Sequence, residues 1–124
     1  MVRLFTYGSL CRNGSAHWRY LRNAKFVEKT RTTPDYSLYR ISWFGGMIKK
    51  QSQHGVKGEV YEIAENALQD IDKYESVEKG LFRREQIDLQ DGQKAYAYII
   101  NQIHTEDELI ENGVWHHQEL AEVD

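Results

Sequence analysis

Glu75 is the residue with the most chemistry to offer. On a helical wheel begun at Ala64 and advanced about 100° per residue, Ala67, Leu68, Ile71 and Tyr74 gather on one side. Glu75 falls only about 20° from the starting point, close to the middle of that apolar stripe. A carboxylate on the core side of a helix loses solvent, which raises its pKa. At a helix C-terminus the macrodipole pushes in the same direction. A glutamate brought toward neutrality in this way suits a general acid/base. Two readings stay open: an inward-facing proton carrier, or a helix that ends early and lets Glu75 swing out to water. Lys79-Gly80 argues against a helix long enough to carry Glu78 inward as well.

A second feature is Tyr7-Gly8-Ser9-Leu10, directly after a run that reads as a strand. Glycine permits a tight bend there. Successive amides in such a bend form a nest that can hold a carboxylate or a polarised carbonyl. A simple turn satisfies the same residues, and the spacing of a Walker loop or a dinucleotide fingerprint is missing. Cys11 and His17, six apart, would make a nucleophile and base in a different enzyme class; an incidental thiol and a surface histidine are the plainer reading. His104, His116 and His117 crowd the end of the chain without paired-ligand spacing, so no metal is expected.

These residues need elements to position them. The chain has 124 residues, 40% of them hydrophobic and 12% aromatic, which is one domain with a real core rather than a disordered segment. Formal charge is −3, against the basic surplus of a general nucleic-acid binder. No apolar run is long enough for a membrane helix, no signal-peptide pattern opens the sequence, and the single cysteine offers no intrachain disulfide. A cytoplasmic protein is expected, a monomer or weak homo-oligomer. All sixteen Lys and Arg lie at or before Lys94, while seven acidic residues and no basic ones follow from Glu106. The expected organisation is a domain over 1–105 with an acidic segment over 106–124 packed on it or trailing from it.

Strands are predicted at 2–6, 25–33, 36–42 and 56–63. A hairpin over 82–89 and 94–101 turns at Asp91-Gly92. Helices are predicted at 15–23, with Trp18 and Leu21 at helical spacing, and at 65–75, with a further helical turn or two at 106–111. Gly45-Gly46 reads as a flexible break beside the aromatic stretch Ile41-Ser42-Trp43-Phe44, a candidate lid, partner surface or strand edge. Strands outnumber helices without regular βαβ alternation, which gives an α+β fold with a curled or closed sheet.

Taken in order, Tyr7-Gly8-Ser9-Leu10, Gly58-Glu59-Val60-Tyr61-Glu62, Leu68-Gln69-Asp70-Ile71-Asp72-Lys73-Tyr74-Glu75 and Tyr96-Ala97-Tyr98 resemble the γ-glutamylcyclotransferase-like family from Met1 to about Asn101. The resemblance implies a small mixed β-barrel with flanking short helices. It implies an enzyme that releases 5-oxoproline and a free amine from a small-molecule γ-glutamyl substrate, with no cofactor. Glu75 matches the family's acid/base glutamate. The amides of Gly8, Ser9 and Leu10 would grip the glutamyl portion, Tyr7 would shape the pocket floor, and Tyr98 would line the site. Cys11, followed by Arg12, stands where relatives often carry a basic residue. The alternative is a non-catalytic module that keeps the fold and pocket to bind a ligand or a protein.

Overall fold

Period-two alternation in the strands and two amphipathic helices account for the layers of the molecule. The structure, a computed structural model, describes residues 1–115. In chain order its elements are β1 (Val2–Thr6), α1 (His17–Leu21), β2 (Lys25–Arg31), β3 (Tyr36–Ile41), β4 (Phe44–Lys49), β5 (Lys57–Ile63), α2 (Ala67–Tyr74), β6 (Phe82–Asp88), β7 (Lys94–Ile100) and β8 (Glu108–Ile110). No helix among the described residues is long and apolar enough to cross a membrane.

β7 is the spine. Its sequence, KAYAYII, is apolar at almost every position, as a strand covered on both faces must be. Ala95, Ala97 and Ile99 face a core shared with Phe5, Val60 and Ile87. Tyr96, Tyr98 and Ile100 face the other way, onto Leu68 and Ile71 of α2 and Leu21 of α1. The strands run β2-β5-β1-β7-β4-β3-β8, with β6 on the remaining edge of β7. Past the ends of β2 and β6 a bridge joins Thr32 to Leu89, so β2, β5, β1, β7 and β6 return on themselves as a small mixed barrel. The α+β barrel with flanking short helices is the architecture observed.

The registers place a split beside β7. β1 pairs with it in parallel at Leu4↔Tyr96, and β4 takes over in parallel at Met47↔Ile99. The end of β1 therefore leaves β7 where β4 arrives, and the turn after β1 sits at that divergence.

Three local expectations need correction. Gly45-Gly46 is no flexible break but part of β4, paired in register with Arg40 and Tyr39 of β3. The glycines answer to packing: a Cβ on Gly45 would lie 3.0 Å from the Trp115 ring, and one on Gly46 3.0 Å from Cβ of Ile100. Residues 108–110 form a strand instead of a helical turn, pairing Leu38↔Ile110 on the free edge of β3; edge pairing outweighs the weak helical preference of an acidic stretch. In α1, Leu21 is buried but Trp18 is 72% exposed, with the Arg22 guanidinium over its ring.

Candidate active site

Glu75 caps α2. Its N–H still donates to the carbonyl of Ile71 at 2.9 Å, so its Cβ sits where continuation of the helix would put it, on the apolar side. One residue later the chain turns away. Ser76 adopts φ 55, its N–H reaches the Lys73 carbonyl and the Val77 N–H the Asp72 carbonyl, which together are a Schellman ending. The helix does end before Glu75, yet the side chain stays inward. Burial raises its pKa from the ordinary 4.5 to about 7.

The turn after β1 faces it across a cavity of about 500 Å³. The carbonyls of Gly8, Ser9 and Leu10 are all engaged within the loop that follows: Cys11 N–H donates to Gly8 at 2.9 Å, Ala16 N–H to Ser9 at 2.9 Å, and His17 Nδ1 lies 2.9 Å from the Leu10 oxygen. The amides of the same three residues donate to no acceptor among the described residues. Gly14 makes the tight loop possible, since a Cβ there would lie 2.1 Å from the Ser9 oxygen. The buried Glu59 carboxylate secures the loop's far side, accepting from Arg12 N–H at 2.7 Å and the Tyr61 hydroxyl at 2.9 Å. Ser9 Oγ lies 2.6 Å from the Tyr74 hydroxyl, tying the turn to the end of α2.

Tyr7 fills the wedge where the sheet splits. Its hydroxyl donates to the Tyr98 carbonyl at 2.8 Å and accepts from Met47 N–H at 3.1 Å, standing in for a strand partner to both. Burial, then the neighbouring Glu75, hold the phenol protonated. Tyr7→Phe is expected to leave both buried backbone groups unsatisfied and to cost about 2–4 kcal/mol, a loss that urea unfolding would show as a lower midpoint with unchanged slope. Tyr98 donates at 2.6 Å to Asp72, whose carboxylate also takes Arg84 at 3.0 Å. That chain of contacts braces the last turn of α2.

Glu75, Gly8, Ser9, Leu10, Tyr7 and Tyr98 all line the one cavity. Trp43, Phe44 and Gly45 of the β3–β4 hairpin line it too, as do Leu81 and Phe82 at the start of β6. Asn13, Ser15 and Trp115 were not legible as lining residues; they arrive through loop closure and long-range packing, which leave no periodic mark. Cys11 and His17 make no pair: the thiol is fully buried with Thr6 Oγ 3.3 Å away, and burial pushes its pKa up, the reverse of an activated nucleophile. Among the described residues no three His, Cys, Asp or Glu gather to hold a metal. His116 and His117 lie outside the described residues.

A family model described as gamma-glutamyl cyclotransferase, AIG2-like, matches residues 4–117. A Vibrio cholerae protein called "Putative gamma-glutamylcyclotransferase" is 32% identical over 112 residues, spanning 90% of this chain and 93% of that one. The crystal structure of an uncharacterized protein from Pyrococcus horikoshii superposes with a TM-score of 0.78 at 25% identity, covering 99% and 97% of the two chains. A mouse AIG2-like protein shares the fold with a TM-score of 0.72 at 21% identity, over 86% of this chain and 81% of its own.

Proposed function

The chain belongs to the gamma-glutamyl cyclotransferase, AIG2-like family, and on that premise we propose that it releases 5-oxoproline and a free amine from a γ-glutamyl amine or peptide, with Glu75 as the general acid/base. One observation carries the reading: a carboxylate brought to about pKa 7 by burial shares a cavity with three consecutive amides that have no acceptor among the described residues.

The substrate's α-amine is an ammonium at neutral pH and cannot attack. Glu75 as carboxylate takes a proton from it. The freed lone pair closes on the γ-carbonyl carbon, and the bond from that carbon to the leaving nitrogen breaks. In all, the ammonium gives up two protons as it becomes the lactam N–H. The departing amine takes up two and leaves as its own ammonium. One carboxylate titrating near 7 serves each transfer, and neither water nor an oxidant is consumed. The amides of Gly8, Ser9 and Leu10 hold the glutamyl portion, whose carboxylate matches a nest of donors. Tyr7 and Tyr98 form the wall that keeps the chain folded for an intramolecular attack.

A panel of γ-glutamyl amines and γ-glutamyl amino acids, read by 5-oxoproline release, tests this. Turnover of at least one is the expected result. Binding of γ-glutamyl compounds with a raised melting temperature and no 5-oxoproline from any of them would favour a binding module instead.

A further inference from the structure

His17 opens α1 and is half-buried. Its ring rests on Tyr61, centroid to centroid 5.4 Å with the two planes at 52°. Tyr61 is held in turn: it is buried, and its hydroxyl donates to Glu59 at 2.9 Å. The imidazole plane is therefore fixed from below, and Nδ1 comes 2.9 Å from the Leu10 carbonyl oxygen. A carbonyl oxygen only accepts, so Nδ1 carries the proton. His17 does not line the cavity, and it reaches the site through Leu10.

The Leu10 carbonyl shares a peptide group with the Cys11 N–H, which donates to the Gly8 carbonyl at 2.9 Å. The Gly8 carbonyl shares a peptide group with the Ser9 N–H, which has no acceptor among the described residues. In a trans peptide the N–H points opposite its own carbonyl, and no cis peptide occurs among the described residues. The Gly8 carbonyl is drawn into the loop, so the Ser9 N–H is turned out of it, where Gly8, Ser9 and Leu10 line the cavity. Hydrogen bonds linked in such a chain polarise one another, by about 10–30% per bond. Donation by His17 at one end thus aims and strengthens the donor at the other. Resting on the cyclotransferase reading for what that donor grips, we infer that His17 is a positioning residue: through the Leu10 carbonyl and the Cys11–Gly8 hydrogen bond, it orients and polarises the Ser9 amide that receives the glutamyl carboxylate.

The test pairs His17→Phe, which keeps a ring against Tyr61 but cannot donate, with His17→Asn, whose side-chain amide can replace Nδ1–H. Kinetics use the γ-glutamyl compound that wild type turns over fastest. His17→Phe is expected to raise KM about five- to tenfold, because the grip on an anion weakens. Its kcat should stay within about twofold, since the carboxylate is held alike before and during reaction. His17→Asn should return KM to within about twofold of wild type. An unchanged KM in His17→Phe, or a rise that His17→Asn does not reverse, would overturn the inference and leave the cyclotransferase reading intact. Nitrogen-15 NMR of the wild-type ring needs no variant and decides the matter if His17→Phe does not fold. In the neutral imidazole a proton on Nδ1 supports the inference, and a bare Nδ1 overturns it. If wild type releases no 5-oxoproline from any compound, the cyclotransferase reading fails and the Ser9 amide proton resonance becomes the arbiter. An upfield move in His17→Phe that His17→Asn reverses supports the relay, and an unmoved resonance overturns it.

Discussion

Replacing Glu75 by glutamine is expected to lower kcat for 5-oxoproline release by about 10²- to 10⁴-fold, the range in which a positioned acid/base contributes. The same change is expected to raise the stability of the protein above neutral pH. Both effects come from one cause. The folded protein holds Glu75 in a setting that favours its neutral form, raising its pKa from 4.5 to about 7. Below about pH 4.5 the carboxyl is protonated whether the chain is folded or not, and it brings no pH-dependent cost. Between 4.5 and 7 the unfolded chain ionises first, so stability falls as pH rises, and above 7 the full penalty is present. The shift corresponds to about 3 kcal/mol at most, less for a side chain that keeps some contact with solvent in the cavity, so about 1–3 kcal/mol is the expected gain. Thermal melts of wild type and Glu75→Gln should coincide near pH 4 and separate by several degrees at pH 8 to 9, with the glutamine variant higher. For wild type, kcat/KM should fall tenfold per pH unit well below 7, as the base is lost. A variant that loses activity without gaining alkaline stability would place the ionisation elsewhere.

The contrast between what the chain announces and what it hides has a physical pattern. Local periodicity was enough for β1, whose bounds match the expectation at both ends, and composition for β5, expected over 56–63 and observed at Lys57–Ile63; for the residue after Tyr74 the wheel supplied the inward one of two open readings. The last case is instructive, because the helix stops one residue short of Glu75 and the wheel still gives the direction: Cβ is placed by dihedrals up to its own φ, and the break at Ser76 comes after them. Gly45-Gly46 misled because glycine pairs usually mark loops, whereas here they make room for Trp115 and Ile100 across the sheet. Residues 108–110 misled because an edge strand of three residues takes its structure from its partner, β3. The place of Tyr7 could be read only as a likeness to a family. Its reason lies in the split of β7 between β1 and β4, which is a property of topology and has no signature in a single segment.

Trp115 belongs to that hidden class, and its removal is expected to have the largest effect on folding. It comes from a segment rich in acid and poor in periodicity, yet it is 5% exposed and sits in the same core as Phe5, Met47 and Ile99. Its ring lies over the backbone of Gly45 and under the Arg40 guanidinium, 4.9 Å from the ring centre, and it lines the cavity. Trp115→Ala is expected to cost about 3–5 kcal/mol, as for other buried aromatic truncations. For a domain of this length that is roughly 10–20 °C in melting temperature. Trp115→Phe keeps a ring against Gly45 and should recover most of the loss. The two variants also separate packing from chemistry. If Trp115 only closes the barrel, turnover by the alanine variant at a temperature where it remains folded should fall mainly through KM, as the cavity widens toward the β3–β4 hairpin. A fall confined to kcat would mean that the ring holds the reacting chain itself in its folded-back form, and would move Trp115 from the wall of the site to its centre.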